Sequence, residues 1–196
     1  MFLHPVYVTI ANAVPSKARV LDVGCGAGIF TSLLAHRGYA ATGIDNDADL
    51  IALAREMVEY LRSTAVIEEA SAFDLSRYHG QFDLVYSLGV VEHFDRTTTV
   101  KLVREQAQCA PKVVVVVPTR YTTYSGSVSD ERLYTRGEVA AIVRDAGLRV
   151  TRSYVYGEVP TAVARNLERL LPRAAYTQLK NWLSYGMGVV VLGERR

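Results

Sequence analysis

The sequence predicts an α/β fold: a doubly wound, mostly parallel sheet with helices on both faces. Three observations predict it. Short β-branched runs alternate with helix-length amphipathic stretches along the whole chain. The first of those runs ends in a glycine cluster, 24-GCGAG-28. The run Lys112 to Val117 is continuously β-branched after its lysine, as suits a strand covered on both faces.

The elements follow in order. The start, MFLHPVYVTIANAV, lacks the basic region and small-residue cleavage pattern of a signal peptide, and it reads as a first helix. Val20 to Val23 is the first strand. Ile29, Phe30, Leu33 and Leu34 then keep helical spacing, and Gly38 is a helix stop. Tyr39 to Asp45 is the second strand. Asp47 is placed to cap a helix whose apolar face holds Leu50, Leu53, Ala54, Met57, Val58 and Leu61. Ala65 to Ala70 is a weaker strand and Phe82 to Ser87 a stronger one. Asp95 to Ala110 forms a helix with Val100, Val103 and Ala107 inward, ended by Pro111. Lys112 to Val117 is the fifth strand. Thr135 and Glu138 make a capping box that opens a helix closed at Gly147. Arg149 to Tyr156 and Met187 to Leu192 are the last two strands.

Between those last strands lies a segment, 158–185, longer than a turn. Pro160 starts a helix there with an apolar stripe at Val163, Leu167, Leu170 and Leu171. Pro172 ends it. A second stripe follows at Tyr176, Leu179, Trp182 and Leu183. Basic residues dominate the polar sides, so three uses stand open: packing on the domain itself, a wall over an acceptor site, or contact with a second subunit or an anionic membrane surface.

Composition bounds the rest. The chain has 196 residues, 49% of them hydrophobic, which suits a single domain over 1–196 with a sizeable core. Two cysteines are no disulfide framework, so a reduced, cytoplasmic setting is expected. A net charge of +2 gives no reason to expect a nucleic-acid partner. No stretch is long enough for a transmembrane helix. No His, Cys, Asp and Glu cluster has metal-ligand spacing.

In such sheets ligands sit beyond the carboxyl ends of the strands. The chemistry is therefore sought in loops 22–28, 45–47, 71–75, 87–94 and 118–134. The glycine loop alone fits many nucleotides, or a bare tight turn. Asp22, just before it, would repel a pyrophosphate and attract an ammonium. Asp45, ending the second strand, is placed to accept both hydroxyls of a ribose. Together they describe a ligand with a ribose, an ammonium and no phosphate, unless both aspartates merely cap turns.

At this point the motifs resemble a family. VLDVGCGAG (20–28) and GIDND (43–47) resemble the first two motifs of class I S-adenosylmethionine-dependent methyltransferases, and SAFDL (71–75) their third segment. FDLVYSLGVVEHF (82–94) resembles the fourth-strand motif of their small-molecule branch, and LYTRGEVAAIVRDAGLRV (133–150) their late helix and strand. The resemblance implies a Rossmann-like sheet of seven strands with an antiparallel last strand, here with a helical insert before it. It implies S-adenosylmethionine as cofactor. Asp22, Gly24, Gly26 and Gly28 would surround its methionine end and Asp45 its ribose. Ile44 and Phe73 would flank the adenine, and Asp74 would accept its amino group. Ser87 and Leu88 would lie near the methionine portion. Phe73 reads equally as a core residue.

Methyl transfer from a sulfonium is an in-line displacement, so positioning does most of the work. If the acceptor carries a proton, Glu92 and His93 are the candidate bases; His93 reads also as a loop-fixing residue. The segment SLGV lacks the (D/N)-P-P-(Y/F) motif of amino-base methyltransferases, and the two-glutamate loop of arginine methyltransferases is missing, which leaves small-molecule or lipid-like acceptors. Tyr121, Tyr124 and Tyr134 are candidates to face the acceptor. An alternative is a catalytically silent, cofactor-binding partner subunit. A dehydrogenase is disfavoured by Asp22 and by the G-x-G-x-G spacing.

Overall fold

The computed structural model describes residues 4–121, 132–159 and 161–195. Helix α1 (His4–Ala13) precedes strand β1 (Arg19–Val23), and the chain then alternates through α2 (Ile29–His36), β2 (Ala40–Asp45), α3 (Ala48–Tyr60) and β3 (Val66–Glu69). It continues through β4 (Leu84–Leu88), α4 (Arg96–Cys109), β5 (Lys112–Pro118), α5 (Arg136–Asp145) and β6 (Arg149–Tyr156). The insert supplies α6 (Ala162–Leu170) and α7 (Arg173–Leu183) before β7 (Gly188–Glu194). The seven strands lie in the order β3-β2-β1-β4-β5-β7-β6. Only β7 runs against its neighbours β5 and β6. This is the doubly wound sheet that the alternation predicts.

Local chemistry sets the helix starts. The Asp47 carboxylate accepts from the Asp49 and Leu50 amides, and Asp95 does the same for Thr97 and Thr98. The Thr135–Glu138 capping box forms in both directions. The sheet separates two layers. Val114, Val116, Val190 and Leu192 pack with Val6 and Ile10 of α1 and Phe30 and Leu34 of α2. Val113, Val115, Val117, Val189 and Val191 face the other way, onto α4 and α5.

Three helix faces differ from expectation. In α3 the buried residues are Ile51 and Ala54, while Leu50 and Leu53 are exposed; Leu50 faces a cavity at the sheet edge instead of the core. In α4 the inward face includes Thr99, Leu102 and Gln106 beside Val103 and Ala107. In α7 the buried residues are Tyr176 and Lys180, with Ser184 one turn on, and Trp182 is 76% exposed. Residues 176, 180 and 184 share one face at i, i+4 and i+8; Tyr176 of the expected stripe is therefore buried as expected, while Trp182 and Leu183 fall on the exposed flank. Asn181 explains the choice: its side-chain carbonyl accepts from the Val155 amide and its backbone carbonyl from Arg136 Nε. Pro160 and the Val163 side chain lie outside the described residues.

Candidate functional site

The parallel strands end on one edge, and there a cavity of about 660 Å³ opens between the loops after β1, β2, β3 and β4. Its wall brings together Asp22, Gly24, Gly26, Asp45, Phe73, Leu88 and His93 of the residues singled out in the sequence. Gly28, Ile44, Asp74, Ser87 and Glu92 are not on that wall.

The glycine loop is built on the end of β2. The Gly24 and Cys25 amides both donate to the Ile44 carbonyl, at 2.8 and 2.9 Å, and the Gly26 amide donates to Asp45 Oδ2 at 3.0 Å. Gly24 has φ +75°, and a Cβ there would lie 2.4 Å from a Val90 methyl carbon, so the loops after β1 and β4 touch through the missing side chain. Ile44 thus shapes the site with its carbonyl, while its side chain is core. Gly28 sits at the start of α2 against Ala54 and Ile67.

Asp22 is 3% exposed. Its Oδ2 accepts from the Thr31 hydroxyl at 2.6 Å; its Oδ1 is buried without a hydrogen bond of normal geometry among the described residues, and the Tyr86 hydroxyl, equally buried and unbonded, is the one other donor near enough to act on the carboxylate. Burial pushes its carboxyl up to about 7, against which the Thr31 and Tyr86 hydroxyls pull downward. A buried carboxylate oxygen without a hydrogen bond is the polar group that a ligand ammonium satisfies. Asp45 is half-buried. Its two oxygens accept one backbone amide each, from Asp47 at 3.1 Å and from Gly26, and each oxygen keeps a lone pair. The cavity therefore offers an ammonium site at one end and a twin acceptor beside it, which fits S-adenosylmethionine.

At the far end Asp74 is bonded within its own turn and lies off the cavity wall. Its Oδ1 accepts from both the amide and the hydroxyl of Ser76, at 3.1 and 2.7 Å, which holds its carboxyl below the usual range. Ser71 lines the cavity instead, with Ala72 and Phe73. Phe73 is 59% exposed and meets Phe94 edge to face at 5.2 Å, so it is no core residue. Asp74→Ala is accordingly expected to leave the preference for adenosyl over inosyl ligands unchanged, and Ser71→Ala to weaken it severalfold. Titration of both variants with S-adenosyl- and S-inosylhomocysteine decides between the two residues.

His93 is exposed on the cavity wall. Glu92 is buried behind it, 2% exposed, and its backbone carbonyl accepts from Arg132. Ser87 is likewise buried, with its hydroxyl toward Gln106. Tyr134 joins the core under α5, and Tyr121 stacks on Tyr185; neither lines this cavity. Tyr124 lies outside the described residues. Cys25, Phe30, Asn46, Leu50, Val90 and Phe94 also line it and were not singled out. For Cys25, Asn46, Val90 and Phe94 the signal was position in the loops, not residue type; Phe30 and Leu50 reach the cavity from the first turns of α2 and α3. Among the described residues, none of 158–185 is on its wall.

Comparisons with known proteins agree with this geometry. A family model described as a methyltransferase domain matches residues 20–111. The ubiquinone biosynthesis O-methyltransferase of Pseudomonas paraeruginosa is 33% identical over 177 residues, 76% of this chain and 74% of that protein. Other curated relatives are matched over shorter stretches: the chain spans 30% of the length of a putative methyltransferase of Bacillus subtilis, which is 30% identical over 39% of this chain. Among solved structures, a SAM-dependent methyltransferase from Aquifex aeolicus superposes with a TM-score of 0.69 at 18% identity, covering 97% of this chain and 88% of that one. Magnesium protoporphyrin IX methyltransferase from Synechocystis superposes equally, with a TM-score of 0.69 at 15% identity over 98% of this chain and 80% of that one.

Proposed function

The chain belongs to the class I S-adenosylmethionine-dependent methyltransferases, and from that premise we propose that it methylates a hydroxyl of a small-molecule or lipid-like acceptor by direct in-line displacement. The observation that carries the reading is the cavity at the strand ends, where one oxygen of buried Asp22 is without a hydrogen bond beside the twin acceptor Asp45. The relatives named as ubiquinone biosynthesis O-methyltransferases support oxygen as the acceptor atom.

When bound, the cofactor supplies a sulfonium-activated methyl group. The protein's own task is to orient, to dehydrate and to handle one proton. Asp22 and the Gly24–Gly26 backbone hold the ammonium end, Asp45 the ribose, and Ser71, Phe73 and Leu50 the nucleobase. Fixing two reactants in this way contributes roughly 7–11 kcal/mol toward the barrier. His93 takes the acceptor's hydroxyl proton. Its exposure on the cavity wall suits that role, whereas buried Glu92 is off the wall and acts only through the loop that carries His93. The domain works as one unit over 1–196, with 158–185 as an insert on its far flank. No helix among the described residues is long and apolar enough to cross a membrane.

Two measurements test this. S-adenosylhomocysteine at a hundredfold excess over Kd should stabilise the fold by about 2.7 kcal/mol, a clear rise in Tm, and NAD should give none. The reverse pattern removes the cofactor assignment. With a phenolic acceptor and labelled methyl groups, His93→Ala should lower turnover by roughly 10²–10⁴ while cofactor affinity holds. Unchanged turnover assigns His93 to loop structure alone. Absence of turnover with every acceptor, despite tight cofactor binding, would favour a silent partner subunit.

A further inference from the structure

A second cavity, of about 550 Å³, lies under the insert against β6 and the start of α1. It opens on the same edge of the sheet as the cofactor cavity, but β6 and β1 are separated by four strand spacings, roughly 19 Å. Its floor holds an unusual group: the Lys180 side chain is only 10% exposed. A buried ammonium needs compensation. Lys180 Nζ donates to Glu158 Oε1 at 2.6 Å and to the Gly157 carbonyl at 3.2 Å, and it lies 5.5 Å from the Tyr176 ring centre. The Tyr176 hydroxyl donates to the other oxygen, Glu158 Oε2, at 3.1 Å.

The pair is asymmetric. Its cation is fixed inside a packed helix, whereas the Glu158 side chain is 60% exposed and follows Gly157, whose φ is +77°. Lys180 and Tyr176 therefore form a cradle for a carboxylate, occupied by one that solvent reaches. Arg173 and Glu168 line the same cavity, neither in an ion pair among the described residues, so the arginine offsets the one further acid there. The Tyr154 hydroxyl is already committed, to Thr9 and the Pro5 carbonyl at 2.7 Å each, so Tyr154 adds an aromatic surface to the cavity and no free donor. Such a volume suits a small organic ligand.

We propose that this cavity is a binding site for a small organic carboxylate with an aromatic or apolar body, whose carboxylate takes the place of Glu158 on Lys180 and Tyr176. Glu158 is then a built-in competitor that keeps the buried ammonium paired while the site is empty. Tyr154 and Tyr156 contact the ligand's body. The site is separate from the cofactor cavity, and the proposal stands apart from the identity of the methyl acceptor.

Benzoate is the probe, with uncharged benzamide as control. Binding is read by calorimetry and by the fluorescence of Trp182, the single tryptophan, two residues from Lys180. The full chain should bind benzoate saturably and benzamide not at all. Glu158→Gln removes the competing charge and should tighten benzoate binding by about tenfold, the scale of one charge-assisted hydrogen bond. Lys180→Met, close in shape but uncharged, should abolish it while S-adenosylhomocysteine still binds. The proposal is overturned if Glu158→Gln binds benzoate no better than the parent, or if benzamide binds as well as benzoate. Should Lys180→Met fail to fold, those two comparisons still decide.

Discussion

Asp45→Ala is expected to lower the affinity for S-adenosylmethionine by far more than tenfold while the fold persists. Two losses combine. The proposed ribose contact is a pair of hydrogen bonds to an ionised acceptor, and bonds of that kind are worth roughly 1.5–3 kcal/mol each. The same carboxylate also braces the site before any ligand arrives: its Oδ2 takes the Gly26 amide at 3.0 Å and its Oδ1 the Asp47 amide at 3.1 Å. Without it the Gly26 amide loses its acceptor and the glycine loop loses one of its three ties to β2. Asp45→Asn separates the contributions, because an amide keeps one acceptor oxygen and the side chain's shape. It should retain most of the stability and only part of the affinity. Calorimetric titration with S-adenosylhomocysteine reads the affinities, and thermal melts of the free proteins read the brace. Parent-like affinity in Asp45→Ala would remove the ribose role.

The division between what the sequence carries and what it hides follows from range. The glycine loop, Asp22, Asp45 and the caps at Asp47 and Thr135 are legible because each is settled within a few residues: a strand must end, a turn needs positive φ, or an orphan amide needs an acceptor. The seven strands and the antiparallel β7 came with the resemblance to a family, and the strand order only with the structure, since pairing of distant segments leaves no local mark. For Asp74 and Ser71 the question is likewise one of local turn geometry. Several polar residues crowd that loop, and which one faces the cavity depends on a turn in which Ser76 captures the Asp74 carboxylate and leaves Ser71 on the wall. In α7 the apolar pattern pointed to Trp182, yet the helix turns its Tyr176–Lys180 face inward. The contacts that orient it, Lys180 with Glu158 and Asn181 with Val155, are polar, and hydrophobic periodicity does not count them.

Asp22→Asn is expected to stabilise the free protein at pH 8 and to weaken its hold on the cofactor, opposite effects from one atom. In the folded protein burial raises the Asp22 carboxyl from 3.8 to about 7. A raised carboxyl pKa means that the folded state holds its proton more tightly than the unfolded chain does. Stability is therefore undiminished below pH 3.8, falls as pH rises toward 7, and above 7 carries the full penalty of a buried charge, about 4 kcal/mol. Asparagine never ionises, and its side-chain carbonyl still accepts from Thr31. The variant should thus melt several degrees above the parent at pH 8, with the gap closing as pH drops toward 4. Ligand binding runs the other way. An ammonium beside Asp22 offsets the penalty, so the parent gains from the ligand what the variant cannot, and affinity at pH 8 should fall by more than tenfold in Asp22→Asn. The same linkage makes the parent's affinity rise as pH increases through 7, where Asp22 ionises, and leaves the variant's flat over that interval. Melts and titrations at pH 5 and pH 8 measure all four quantities. A variant that is no more stable than the parent at pH 8, and that binds S-adenosylhomocysteine equally well there, would show that Asp22 neither bears a buried charge nor meets the ammonium.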